Sequence, residues 1–162
     1  MRRFFIAAAT VCLCAATASA QTKITGTAEC AQPDPQHVVP AGDRANHSLG
    51  VDQVKCTYTK PLEIEGDKSK EGVSTETLDI SGNSSRARGV HIITMETGDK
   101  CFLSYQGTTT TKDGALVAGK GSWAFTGGTG KMKGIKGKGT YNCTPAGGGV
   151  SCAVEGEYTI AK

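Results

Sequence analysis

Apolar side chains recur at every second position along most of this chain, and no stretch sustains the spacing of an amphipathic helix. The last segment is the clearest. Val150, Cys152, Val154, Gly156, Tyr158 and Ile160 fall on one face, with Ser151, Glu155, Glu157 and Thr159 on the other. The segment before it groups Ile135, Gly137, Gly139, Tyr141 and Cys143 opposite Lys136, Lys138, Thr140 and Asn142. Ile24, Ala28 and Cys30 mark a first strand, Val54, Cys56 and Tyr58 a second, and Val73 to Ile80 a less regular third. Val90 to Met95 is a continuous apolar-rich run, which predicts a strand covered on both faces. Cys101, Leu103 and Tyr105 alternate in the next, and Leu116 to Phe125 brings Trp123 and Phe125 to one parity.

Turn signals separate these strands: Thr97-Gly98-Asp99, Lys112-Asp113-Gly114 and the glycine-rich run at 127–130. Asp113-Gly114 is a strong hairpin signal, because both residues tolerate the positive φ that tight hairpins require. Glycines on the inward parity, such as Gly137 and Gly139, suit a curved sheet or a barrel corner. The fold class is therefore all-β with little helix: seven or eight short antiparallel strands closing as a barrel or packing as a sandwich. Two stretches carry no clear alternation. Residues 31–50 hold Pro33, Pro35, Pro40, His37 and His47, and residues 60–87 are polar and charged. Both are expected to be long loops, either lids or mobile segments.

The first twenty residues have the character of an export signal. Arg2 and Arg3 precede a short apolar stretch from Phe4 to Cys14, and Ala18-Ser19-Ala20 forms a cleavage site. The apolar run is too short to cross a bilayer, and no transmembrane segment follows it. Cleavage near Ala20 leaves one domain, residues 21–162, in a periplasmic or secreted location. Loss of the two leader arginines reduces the formal net charge from +3 to +1. So balanced a chain is not built as a nucleic-acid binder.

Five cysteines remain after the leader: Cys30, Cys56, Cys101, Cys143 and Cys152. Each falls on the apolar parity of its strand. Cys143 and Cys152 flank the turn-forming run 144–149, which places them opposite each other in a hairpin. The expected bridges are Cys143–Cys152 and Cys30–Cys56, with Cys101 left over. No metal site is expected, since C-x-x-C is absent and the histidines are scattered. No cofactor motif fits either. Gly130-Lys131 lacks both the earlier glycine and the following hydroxyl residue of a phosphate loop.

The segment from Phe125-Thr126-Gly127-Gly128-Thr129-Gly130 through Ile135 to Gly137-Lys138-Gly139-Thr140-Tyr141 resembles the small exported bacterial proteins with an allene oxide cyclase-like barrel. These are distant relatives of the plant dirigent proteins. Gly98-Asp99-Lys100, Tyr105-Gln106-Gly107-Thr108 and Gly121-Ser122-Trp123 add to the resemblance, which spans roughly residues 86–160. It implies an eight-stranded antiparallel barrel and a periplasmic setting. The plant members steer a reactive intermediate inside an apolar cavity, but their polar residues do not map one by one onto this chain.

Candidate functional residues follow from the barrel. Tyr105, Trp123, Phe125, Tyr141 and Tyr158 are the expected apolar lining of any cavity. His91 is the sole histidine within a predicted strand, and with Tyr105 it is the candidate acid–base residue. His37 and His47 are expected to be solvated. Lys131, Lys133, Lys136 and Lys138 form a candidate anion patch; the alternative is that Lys136 and Lys138 sit on a solvent face and keep a glycine-rich hairpin soluble. The leading expectation is non-catalytic binding of a small apolar or amphipathic ligand in the barrel. The alternatives are a cyclase- or isomerase-like enzyme using the cavity, and an envelope- or stress-interaction protein with a filled barrel.

Overall fold

The computed structural model describes residues 21–112 and 115–161. The expected leader, residues 1–20, and the expected turn at Asp113-Gly114 lie outside the described residues. Ten strands follow in order: β1 (Thr22–Cys30), β2 (Gln36–Pro40), β3 (His47–Lys60), β4 (Glu63–Ile64), β5 (Asp67–Ser81), β6 (Ser84–Met95), β7 (Lys100–Lys112), β8 (Ala115–Gly128), β9 (Ile135–Ala146) and β10 (Gly149–Ile160). A single 3₁₀ turn, Gly130–Met132, is the one helical element among the described residues.

Every pairing is antiparallel. Because β3 pairs with both β1 and β5, the strands β1, β3 and β5 to β10 close into an eight-stranded barrel. Closure leaves those eight strands no free edge over their shared length. The two remaining strands are extensions. β2 carries the line of β1 onward along the first half of β3, after an interruption at residues 31–35. β4 folds back on the start of β5.

Alternation sets what the barrel contains. Ile24, Ala28, Cys56, Tyr58, Ile93, Leu103, Trp123, Phe125 and Tyr158 point inward and are buried. One end is sealed. Leu62 and Ile64 from the β3–β5 connection, Met95, Cys101, Met132 and Ile135 are each at most 2% exposed there. Met132 comes from the 3₁₀ turn, which folds over the barrel between β8 and β9. The registers Cys30↔Cys56 and Cys152↔Cys143 set both cysteine pairs facing each other, and both disulfides are formed. Cys101 is free and buried at the sealed end.

Two expectations are corrected. The stretch 60–87 is not a long loop, since most of its residues belong to β5 and β6, and the stretch 31–50 is broken by β2 and the start of β3 into two short connections, 31–35 and 41–46. In β5 the inward positions Ser74 and Glu76 are polar, so the chain carries no apolar alternation there although it is fully extended. Val90 to Met95 is not covered on both faces either. His91, Ile93 and Met95 are buried, while Val90 and Ile92 are 55% and 38% exposed on the outer surface.

Candidate functional site

Opposite the sealed end, the strands run on past the core and their inward faces enclose a cavity of about 780 Å³. Its mouth is ringed by the loop at residues 31–33, the β5–β6 turn and the β9–β10 turn. The volume lies within the range usual for small-molecule sites. The barrel is therefore not filled by side chains at this end.

The cavity floor is apolar. Trp123 and Phe125 meet edge to face with ring centroids 5.0 Å apart, and Ile93 and Leu103 lie beside them. The Trp123 indole nitrogen is satisfied by donating to the Thr140 carbonyl at 3.2 Å. Tyr105 and Tyr141 stand higher in the wall, packed edge to face at 6.1 Å. Both disulfides also face the cavity, below the mouth.

One wall is polar, and three strands build it. Asp52 of β3 and Glu76 of β5 are register partners, and both turn inward. Tyr105 of β7 donates a 2.6 Å hydrogen bond to Glu76 Oε2. Gln36 of β2 donates to Asp52 Oδ2 at 3.3 Å, whereas Asp52 Oδ1, in a residue only 3% exposed, has no partner among the described residues. Burial pushes the Asp52 carboxyl above its ordinary value. Burial also raises Glu76; the Tyr105 hydrogen bond opposes that rise, and the Asp52 charge adds to it. Burial, then the Glu76 charge, moves Tyr141 up to about 12 and raises Tyr105 further still. Both phenols stay protonated at neutral pH.

His91 lies deeper on the same side. Its Nδ1 is 2.7 Å from Ser74 Oγ and its Nε2 3.2 Å from the Tyr58 hydroxyl. Burial lowers its pKa to about 4, so the ring is neutral, one nitrogen donating and the other accepting.

The sequence-named residues thus fall in three places. Tyr105, Trp123, Phe125, Tyr141 and His91 face the cavity together. Tyr158 is buried inside the barrel but does not line the cavity; its hydroxyl accepts a hydrogen bond from the Glu65 amide near the sealed end. Lys131, Lys133, Lys136 and Lys138 are all exposed on the outside, away from the mouth. His37 is exposed as expected, but His47 is not solvated. Its side chain is 9% exposed, with Nδ1 against Asp43 and Nε2 3.2 Å from Asp79.

Sequence reasoning misses Asp52, Glu76, Ser74 and Tyr58 as site residues. A signal for Asp52 exists, since it shares the parity of Val54, Cys56 and Tyr58, where an acidic side chain is out of place. No group of three or more His, Cys, Asp or Glu among the described residues is arranged to hold a metal ion. No helix among them is long and apolar enough to cross a membrane.

Fold and site together define a class: a closed eight-stranded antiparallel barrel with a one-ended interior cavity, apolar at its floor and acidic on one wall. No protein-family model matches the chain, and no curated protein matches it in sequence.

Proposed function

We propose that this protein is an exported barrel that binds a small amphipathic molecule in its interior. The observation that carries the reading is the open cavity, where an aromatic floor adjoins a hydrogen-bonding wall. Such a division suits a ligand with an apolar body and one polar end. The two disulfides fit an oxidising compartment, as the leader-like N-terminus does. The resemblance to allene oxide cyclase-like barrels is consistent with an interior site.

The test is native mass spectrometry of protein taken from its own compartment, paired with a variant whose cavity is plugged. Val54 faces the cavity beside Asp52, so Val54→Trp fills it from one wall. A co-purifying small molecule present in the parent and absent from the variant is the expected result. No bound molecule, and no binding of any amphiphile offered, would overturn the reading.

One observation favours a second reading, a cyclase- or isomerase-like enzyme. The Tyr105 hydroxyl, paired with Glu76, is an acid–base couple facing an apolar chamber. Turnover of the bound molecule, lost in Tyr105→Phe while binding persists, would establish it.

A further inference from the structure

The polar wall of the cavity has a sign. Asp52 and Glu76 are the two carboxyl side chains in it, side by side in register on β3 and β5, and no lining residue among those described is Lys or Arg. His91 sits in the same chamber, hydrogen-bonded at both nitrogens and uncharged, so it supplies no counter-charge.

Several donors along this wall are already engaged. Tyr105 donates a hydrogen bond to Glu76, Gln36 donates to Asp52 Oδ2, and Ser74 and Tyr58 are engaged with His91. One acceptor is open: apart from the neighbouring Glu76 carboxyl, Asp52 Oδ1, on a residue 3% exposed, faces no hydrogen-bond donor among the described residues. A buried carboxylate oxygen left without a donor is costly, and a ligand that brings the donor recovers that cost on binding. Above this wall stand the rings of Tyr105 and Tyr141, whose faces also attract a cation.

We infer that the molecule bound in the barrel carries a cationic head, an ammonium on an apolar body, and that this head docks on Asp52 Oδ1 beside Glu76. The inference rests on the binding reading above and adds the charge class of the ligand. The apolar body lies along Trp123 and Phe125. A carboxylate head is excluded by repulsion from the acidic pair, and a neutral hydroxyl head gains the hydrogen bond without the charge attraction.

Trp123 is the sole tryptophan and lines the cavity, so its fluorescence reports occupancy directly. The experiment titrates the purified, disulfide-intact protein with decylamine, decanol and decanoate, matched in tail and different in head. Decylamine is expected to bind at least about tenfold tighter than decanol, with decanoate weakest. Asp52→Asn should lower decylamine affinity about tenfold and leave decanol within about twofold. Thermal melting confirms that the variant is folded, and Glu76→Gln provides a second substitution with the same expected direction. Equal affinity for the three heads, or a decylamine preference that survives both substitutions, overturns the cationic head while leaving cavity binding intact. Failure of all three to bind overturns the cavity reading and the charge inference with it.

Discussion

The indole of Trp123 lies against Gly156 so closely that a Cβ there would collide with the ring, and Gly139 next to it is in the same position. The two glycines are register partners on β10 and β9, so a flat, side-chain-free platform runs across two strands under the cavity floor. This explains why glycine occupies inward positions of otherwise apolar strands. The ring takes up the volume that two side chains would fill.

Gly156→Ala should therefore overpack the floor. Besides the ring, the new methyl would meet the Lys138 carbonyl at 2.5 Å, and backbone cannot move aside as a side-chain tip can. The expected cost is about 1–3 kcal/mol, seen as a melting temperature several degrees lower. Gly119→Ala is the control. Its methyl would sit 3.4 Å from Cys143 Cβ, an ordinary contact, and stability should be unchanged or slightly higher. Equal losses in the two variants would show that packing against Trp123 is not the cause.

The same residues explain how much of the molecule is legible in its sequence. Strands whose inward side chains are apolar, such as Cys101-Leu103-Tyr105 and Val150 to Ile160, announce themselves by alternation. Both expected cysteine pairs face each other in register, Cys143 and Cys152 across the hairpin that the turn 144–149 announces. The alternation fails in β5, where Ser74 and Glu76 face a cavity instead of packed side chains. It fails again at Val90 and Ile92, because apolar residues on the outer surface imitate burial. The polar wall is thus hidden by its own chemistry: inward polar side chains break the pattern that identifies a core.

The two disulfides differ in the loop each closes, with sequence separations of 26 for Cys30–Cys56 and 9 for Cys143–Cys152. Chain entropy then predicts roughly 3.6 and roughly 2.7 kcal/mol of stabilisation respectively. The Cys30→Ser/Cys56→Ser pair should lower the melting temperature more than Cys143→Ser/Cys152→Ser does. The second bridge ties a hairpin that the strand register already holds. Denaturant unfolding of the two double variants measures the order, and the reverse ranking would refute it.

Asp52 should be a liability for folding. Its carboxyl is raised by burial, so it contributes stability below its unfolded pKa and loses it as pH rises through the folded value. Asp52→Asn removes that penalty. The variant should melt higher than the parent at pH 7, and the gain should shrink as pH falls through the carboxylate range. A variant that melts lower at pH 7 would mean that the charge is stabilised by neighbours.

His91 has the opposite dependence. Its folded pKa, about 4, lies below the ordinary 6.5, because burial between Tyr58, Ser74 and the β5 backbone disfavours the imidazolium. The unfolded chain therefore binds more protons than the folded one between those two values. Stability conferred by the neutral ring is complete above pH 6.5 and is lost as the pH falls toward 4, to an extent on the order of 3 kcal/mol. The raised carboxyls of Asp52 and Glu76 work against this trend in the acid range, so the parent curve alone does not isolate it. The difference between the parent and His91→Gln does. The substituted amide keeps a donor and an acceptor but does not titrate. Urea unfolding at about pH 7 and about pH 4.5, on either side of most of that window, should show the parent losing stability relative to the variant as the pH drops. If the two curves stay parallel, His91 is charged or hydrated in the folded protein, and the chamber beside Tyr58 is wet.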